Sequence, residues 1–344
     1  MLRRTFLQLS LALRQDRLDK VEAILKGAAD SGEVLSASAL VRQGKDERRW
    51  VVGKTRAKDP VYLLASITKP MTATAVMILA DRGELKLTDP VNKFIPEFKG
   101  DGRDAVLIRH LLTHTSGLPD MLADNDALRT RHAPLADFVA GACRAPLGFA
   151  PGTRCRYQSM GILLAAEITE RITKTRLRDF LKKSVFDPPG MKSTALGLGN
   201  FKLAATEQSQ VPVQNDWDWN SPYWRDLGSP WGGAHSTTAD VVRFLDSFRE
   251  PNGRVIKAET ARAMVTNQNN GLNIAWGLGW MVGSGRLAKP TSANAFGHSG
   301  STGTVCWADP KTGIRMALLT TLPANLSGKT VLNPVCNAVA EAGA

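Results

Sequence analysis

Strand-like segments fall only towards the two ends of this 344-residue chain, and residues 84–225 between them carry almost none. Near the start, residues 17–30 repeat apolar side chains at helical spacing, with Leu18, Val21, Ile24 and Leu25 on one face. Two short strands are expected at 37–42 and 50–52, separated by a Gly-Lys-Asp turn at 44–46. Residues 68–80 predict a largely buried helix closed by Gly83, a residue suited to a C-terminal cap. The middle predicts helices at 107–113, 135–143, 160–172 and 176–184. After Trp231 the pattern reverts to a helix at 238–249, a glycine-rich strand at 277–282, and a hairpin of 304–308 with 314–319 about the turn 309–313. Strands separated by so long a helical stretch can share one sheet only if the chain's ends rejoin. The expected fold class is therefore α/β (α+β in arrangement): an antiparallel sheet flanked by helices, with a mainly helical lobe inserted. The expected division is an N-terminal extension at 1–16, an α/β lobe from 17–83 and 226–344, and a helical lobe at 84–225.

Composition narrows the function classes. The chain is 43% hydrophobic and 22% charged, the balance of an ordinary globular protein. Its net charge of +12 could favour anionic partners. The cationic residues are dispersed, however, with no tract longer than Arg48-Arg49 or Lys182-Lys183. Nor is there a helix-turn-helix, zinc-finger or aromatic-basic strand pattern, so nucleic acid is not an expected partner. No apolar run reaches the roughly 18 residues of a membrane span. Cys143, Cys155, Cys306 and Cys336 lack metal-ligand spacing, which argues against zinc. Cys143 and Cys155 flank a Pro/Gly loop and could pair in an oxidising compartment, but reduced, partly buried thiols are the favoured reading. The first residues, Met1-Leu2-Arg3-Arg4-Thr5-Phe6-Leu7-Gln8, read as the start of a twin-arginine export signal. The apolar stretch behind them is short, ends in Arg14, Asp16 and Arg17, and lacks a small-residue cleavage site. A charged first helical turn explains the same residues, and the balance tips towards the cytoplasm over export.

The chemistry-bearing pattern is Ser66-Ile67-Thr68-Lys69 at the start of a predicted helix. Positions three apart share a helix face, so the hydroxyl and the amine can meet. A serine hydroxyl is a weak nucleophile until a base takes its proton, and a lysine can do so only if burial or another cation lowers its pKa. Two later segments accompany this pair, Tyr157-Gln158-Ser159 and His298-Ser299-Gly300-Ser301. Other familiar patterns fail. Gly328-Lys329-Thr330 lacks the earlier glycine of a nucleotide-binding loop, where Pro323 stands. Gly297-His298-Ser299-Gly300 lacks the final glycine of a nucleophile elbow, where Ser301 stands. Lys311-Thr312-Gly313 follows Asp309-Pro310 between two apolar runs, which is turn chemistry and predicts a hairpin loop away from the site.

In order and approximate spacing, the three segments resemble the serine β-lactamase and penicillin-binding-protein superfamily, most of all its class C branch and the related esterases. The resemblance extends to Leu111-Leu112-Thr113-His114-Thr115-Ser116-Gly117-Leu118-Pro119, to Trp231-Gly232-Gly233 with Ser236-Thr237, and to Gly277-Leu278-Gly279-Trp280. It runs from about residue 17 to the C-terminus. It implies a β-lactamase/transpeptidase-like fold and a serine hydrolase that needs no metal or organic cofactor. Ser66, Lys69 and Tyr157 would be catalytic. The backbone N–H groups of Ser66 and Ser301 would form the oxyanion hole. His298, Ser299 and Gly300, with Ser159, would line the substrate site. His114 and Ser116 would be structural. A tyrosine is too weak a base at its ordinary pKa near 10, but beside Lys69 it could share that role.

Two departures bear on substrate. His298 stands where β-lactam-hydrolysing relatives carry a lysine that attracts the substrate carboxylate, and a largely neutral imidazole attracts anions far less. Ser159 stands where asparagine is usual. Both resemble the esterase-like members, so a carboxylesterase acting on small acyl esters is expected. The alternatives are a class C-type β-lactamase, a D-amino-acid peptidase, or a non-catalytic penicillin-binding-like sensor. The expected partner is a small-molecule ester or amide, and the sequence leaves the oligomeric state open. Trp217, Trp219, Tyr223, Trp224 and Trp231 form a dense aromatic segment that would either wall the cleft or pack between lobes.

Overall fold

The computed structural model describes residues 13–55, 57–212 and 215–343. The export-signal reading of the first residues lies outside this range. Nine strands are found among the described residues: β1 (Ser36–Gln43), β2 (Asp46–Gly53), β3 (Tyr62–Leu63), β4 (Ala195–Leu196), β5 (Ala234–Ser236), β6 (Met281–Val282), β7 (Phe296–Gly300), β8 (Thr304–Asp309) and β9 (Ile314–Thr320). Six of them form one antiparallel sheet in the order β2-β1-β9-β8-β7-β6. The N-terminal pair β1-β2 thus joins the C-terminal strands through β1 and β9, which register Leu40 against Ala317. A smaller sheet, β3-β5-β4, sits beside the start of the helix Thr68–Asp81.

The central strands are apolar on both faces because helices cover both. Ala37, Ala39 and Val41 of β1, Val305 and Trp307 of β8, and Met316 and Leu318 of β9 pack with Val21, Leu25, Val335 and Val339 of the terminal helices Gln15–Asp30 and Asn333–Ala342. The intervening residues Leu40, Cys306, Ala308, Ala317 and Leu319 face the larger core, with Val242 and Leu245 of the helix Thr238–Arg249. This is the period-two alternation of a strand, hidden in sequence because both sides are buried.

Residues 84–225 are mainly helical, with helices at Ile108–Leu112, Asn125–Thr130, Leu135–Arg144, Met160–Thr173, Leu177–Leu181 and Pro222–Leu227. The helix Thr68–Asp81 is buried on nearly all sides; its polar residues inside, Thr68, Lys69, Thr72 and Thr74, all hydrogen-bond to carbonyls there. The glycine-rich strand expected at 277–282 is shorter, reduced to Met281–Val282. Gly279 explains this: its φ is +86°, and a Cβ there would lie 2.4 Å from the Ala73 Cβ, so the segment turns tightly against the helix Thr68–Asp81. The hairpin of β8 and β9 turns at Asp309–Gly313 as expected, with the Lys311 amide donating to Asp309 Oδ1 at 2.9 Å. Lys311 sits at the end of β8 remote from Gly300, which pairs with Thr304. No helix among the described residues is long and apolar enough to cross a membrane.

Candidate active site

Ser66 lies in the single turn Ala65–Ile67 that leads into the helix Thr68–Asp81. Four hydrogen-bond partners fix that turn. The Leu64 amide donates to the Ala234 carbonyl of β5 at 2.8 Å, and Thr68 Oγ1 donates to the Ala65 carbonyl at 2.7 Å. Thr302 and Thr304, flanking the end of β7, donate through their hydroxyls to the Leu63 and Leu64 carbonyls, each at 2.7 Å. Ala65 adopts φ +48°, a left-handed conformation costing a non-glycine residue roughly 1–2 kcal/mol. The surrounding bonds hold it there and turn Ser66 to a partly exposed position. Gly300 lets β7 press against this turn, since a Cβ would meet the Leu64 carbonyl oxygen at 2.2 Å.

Lys69 is 1% exposed and points back to the serine. Its Nζ donates to Ser66 Oγ at 3.0 Å and to the Trp231 carbonyl at 2.9 Å. The amine also lies 4.7 Å from the centre of the Tyr157 ring. Burial lowers the Lys69 pKa to about 7, against the opposing pull of the Asp120 carboxylate. Burial also raises the Tyr157 phenol well above its ordinary value, with hydrogen bonding to Ser66 partly offsetting it. The amine is therefore poised between its two charge states near neutrality, while the phenol keeps its proton. Within the pair expected to share the base role, the amine is thus the better proton acceptor.

His298 pairs with Cys306 inside the sheet and is 1% exposed. Its pKa falls to about 3 through burial and the nearby Lys69. Its Nδ1 lies 2.8 Å from the Ser299 carbonyl, so Nδ1 carries the proton. Nε2 is then a bare acceptor, buried without a partner among the described residues. In this tautomer Nε2 can accept a hydrogen bond but not donate one. Ser299 is partly exposed beside it, and Ser301 is exposed where the chain leaves β7.

The Leu111–Pro119 segment braces the second box. Ser116 donates to Gln158 Oε1 at 2.6 Å, and the Gln158 amide donates to His114 Nδ1 at 3.3 Å. His114 is fully buried, its pKa far below the ordinary value for that reason, and its ring lies 4.7 Å from that of Tyr157. Trp276, absent from the sequence reading, packs edge-on against His114 at 4.6 Å and lies 5.8 Å from Tyr157. Asp120 was also missed. Ser159 Oγ donates to its Oδ1 at 2.6 Å. Only its place directly after Leu118-Pro119 marked it, and no spacing rule links positions 120 and 159.

The aromatic segment divides. Trp224 and Trp231 are buried, 6.4 Å apart, with Trp231 also 5.9 Å from Phe138. Their rings are core packing, the second of the two readings the sequence left open. Trp217, Trp219 and Tyr223 stay partly exposed. The Arg129 guanidinium lies over both Trp217 and Trp224, and His132 stacks on Tyr223, which ties the segment to the helix Asn125–Thr130 and its following turn. All four cysteines are buried and unpaired. No cluster of three or more His, Cys, Asp or Glu side chains suited to a metal exists among the described residues.

Fold and site together define a β-lactamase-like serine hydrolase family. The Beta-lactamase family model matches residues 21–335, and the chain belongs to that family. Esterase EstB of Burkholderia gladioli is 31% identical over 330 residues, spanning 84% of this chain and 81% of that protein. Among solved structures, EstCE1, described as a hydrolase with promiscuous acyltransferase activity, superposes with TM-score 0.79 at 20% identity, covering 94% of this chain and 98% of its own. A penicillin-binding protein homolog from Caulobacter crescentus gives TM-score 0.78 at 22% identity, covering 96% and 99%.

Proposed function

We propose that the protein is a carboxylesterase that hydrolyses small acyl esters through an acyl-enzyme on Ser66. The observation that carries this reading is the 3.0 Å contact between Lys69 Nζ and Ser66 Oγ, with the amine buried and its pKa near 7. In its neutral form Lys69 takes the Ser66 proton as Oγ attacks the ester carbonyl. The Ser66 and Ser301 amides receive the developing oxyanion, a contribution of about 3 kcal/mol per donor in comparable sites. The Tyr157 phenol gives its proton to the departing alkoxide and regains one from the Lys69 ammonium. Water then attacks the acyl-Ser66 ester with Lys69 and Tyr157 in the same roles, releasing the acid and restoring the serine.

Ester preference over β-lactams and D-peptides is supported by the neutral, buried His298 and by the likeness to esterase EstB. Turnover of p-nitrophenyl butyrate, nitrocefin and a D-Ala-D-Ala peptide, measured side by side, tests the assignment. Ester hydrolysis that disappears in Ser66→Ala is the expected result. Peptide or nitrocefin cleavage without ester turnover would overturn the choice of substrate, and an unchanged rate in Ser66→Ala would remove the nucleophile. A stable acyl adduct without turnover would favour a sensor.

A further inference from the structure

Tyr157 stands on irregular backbone. From Ala145 to Ser159 the chain forms neither helix nor strand, and Gly152, Thr153, Arg154 and Arg156 are exposed. A group carried by such a segment is placed only as well as the contacts on its two sides place it. On one side these come from Leu111–Pro119: the Arg156 amide donates to the His114 carbonyl at 2.9 Å, and the Gly152 amide to the Thr115 carbonyl at 2.8 Å. On the other they come from the loop 267–276. The Cys155 amide donates to Asn273 Oδ1 at 2.9 Å, and Asn273 Nδ2 donates to the Cys155 carbonyl at 3.1 Å. A primary amide offers donor and acceptor side by side, so Asn273 serves both backbone groups of Cys155 as a neighbouring strand would.

The loop that carries Asn273 is itself closed. The Gln268 amide donates to the Trp276 carbonyl at 2.7 Å, and the Trp276 amide donates to Asn267 Oδ1 at 3.1 Å. Asn269, 4% exposed, donates through Nδ2 to the Thr113 carbonyl at 3.1 Å and to the Ile274 carbonyl at 3.3 Å. The Trp276 ring at the loop's end lies against the His114 ring and 5.8 Å from that of Tyr157. Asn273 is exposed, so its replacement releases Cys155 without opening a cavity in the core.

We propose that Asn273 is a positioning residue for the acid of the reaction: by holding Cys155, two residues before Tyr157, it sets where the Tyr157 hydroxyl stands. This rests on the acyl-enzyme reading above, in which Tyr157 protonates the departing alkoxide. An alkoxide leaves only as it takes up a proton, whereas p-nitrophenolate leaves without one. A displaced Tyr157 therefore slows the acylation step with alkyl esters selectively.

The test compares kcat/KM, which reports acylation, for ethyl butyrate and p-nitrophenyl butyrate in the wild type, Asn273→Ala, Asn273→Gln and Tyr157→Phe, with circular dichroism checking each fold. Asn273→Ala should lower the ethyl ester about tenfold or more beyond any loss on the p-nitrophenyl ester, since a misplacement of about 1 Å can cost about a hundredfold. Asn273→Gln keeps both hydrogen-bonding atoms on a longer stem and should recover part of that ratio. Tyr157→Phe should show the same selectivity more strongly. Equal losses on the two esters in Asn273→Ala would mark a purely structural role and overturn the proposal, as would unchanged kinetics. If Asn273→Ala does not fold, the same comparison in Asn273→Gln decides, and a ratio equal to that of the wild type despite a slower rate on both esters counts against the proposal. A selective Tyr157→Phe beside an unselective Asn273→Ala sinks this inference alone, whereas an unselective Tyr157→Phe removes the acid role of Tyr157 from the reading beneath it.

Discussion

Replacing Lys69 by methionine should abolish activity and yet stabilise the protein at neutral pH. The substitution preserves the length of the stem and removes the amine. Burial takes the Lys69 pKa from its ordinary 10.5 to about 7. At about 1.4 kcal/mol per tenfold change in proton affinity, keeping this group in the fold costs about 5 kcal/mol at and below pH 7. Against that, the buried Trp231 carbonyl loses its donor, a penalty of about 1–3 kcal/mol. Ser66 is partly exposed and recovers a partner from water. The net expectation is a variant more stable by about 2–4 kcal/mol at pH 6. The sign reverses with pH. The unfolded lysine binds its proton more tightly, so the wild type gains stability as pH rises from 7 towards 10.5 and the variant does not. Its advantage should shrink by about 3 kcal/mol between pH 7 and pH 9.5. Urea unfolding followed by tryptophan fluorescence at several pH values measures both quantities. A variant less stable than the wild type by a constant amount at every pH would show that Lys69 is a comfortably paired cation, and the argument for a neutral base would fail.

Three further outcomes follow from the same geometry. The kcat/KM for a neutral ester should fall with unit slope as pH drops below about 7, where Lys69 takes up a proton; Asp120→Asn should move this limb to lower pH, because the carboxylate raises the Lys69 pKa. A pH-independent rate between 5 and 8 would contradict both. Gly300→Ala drives a methyl into the Leu64 carbonyl and pushes β7 off the nucleophile turn, so kcat/KM should drop by about a hundredfold or more while circular dichroism stays native; near-normal activity would disprove the close approach. The four thiols should react slowly with a disulfide reagent in the native protein and rapidly in urea, since burial raises Cys306 and Cys336 to about 12 and Cys143 to about 11. Fast native labelling of more than one thiol would argue against that burial.

Where one face of an element is distinctive, sequence and structure agree closely. The helix expected at 17–30 runs Gln15–Asp30, that at 160–172 runs Met160–Thr173, and the hairpin of β8 and β9 lies where its turn residues put it. The misses share a cause. Tyr62–Leu63, Ala195–Leu196 and Ala234–Ser236 are strands only because they meet one another, and two- or three-residue segments carry no periodicity. The strand expected at 277–282 fails for the opposite reason, as its glycines serve a tight approach to the helix Thr68–Asp81. Helix Pro222–Leu227 is dictated by an N-terminal cap, Ser221 accepting from the Trp224 amide, within a stretch whose aromatic content drew attention elsewhere.

The candidate site was legible in its residue types and illegible in its electrostatics. Ser66, Lys69 and Tyr157 are residue types with few alternative uses in that order, so sequence sufficed to nominate them. Their charge states depend on what surrounds them. Lys69 is buried, which makes its neutral form accessible although the Trp231 carbonyl and the Tyr157 ring favour the ammonium; the same burial keeps the proton on Tyr157. His298 is largely neutral in sequence and more firmly so in the fold, because burial and the nearby Lys69 lower its pKa, while the Ser299 carbonyl fixes the remaining proton on Nδ1. Asp120 is the converse, a surface carboxylate that no spacing rule marks, held by a hydrogen bond from Ser159, thirty-nine residues away, and raising the pKa of Lys69. What the fold adds to these residue types is therefore a field, built by burial of Lys69 and His298 and exposure of Asp120.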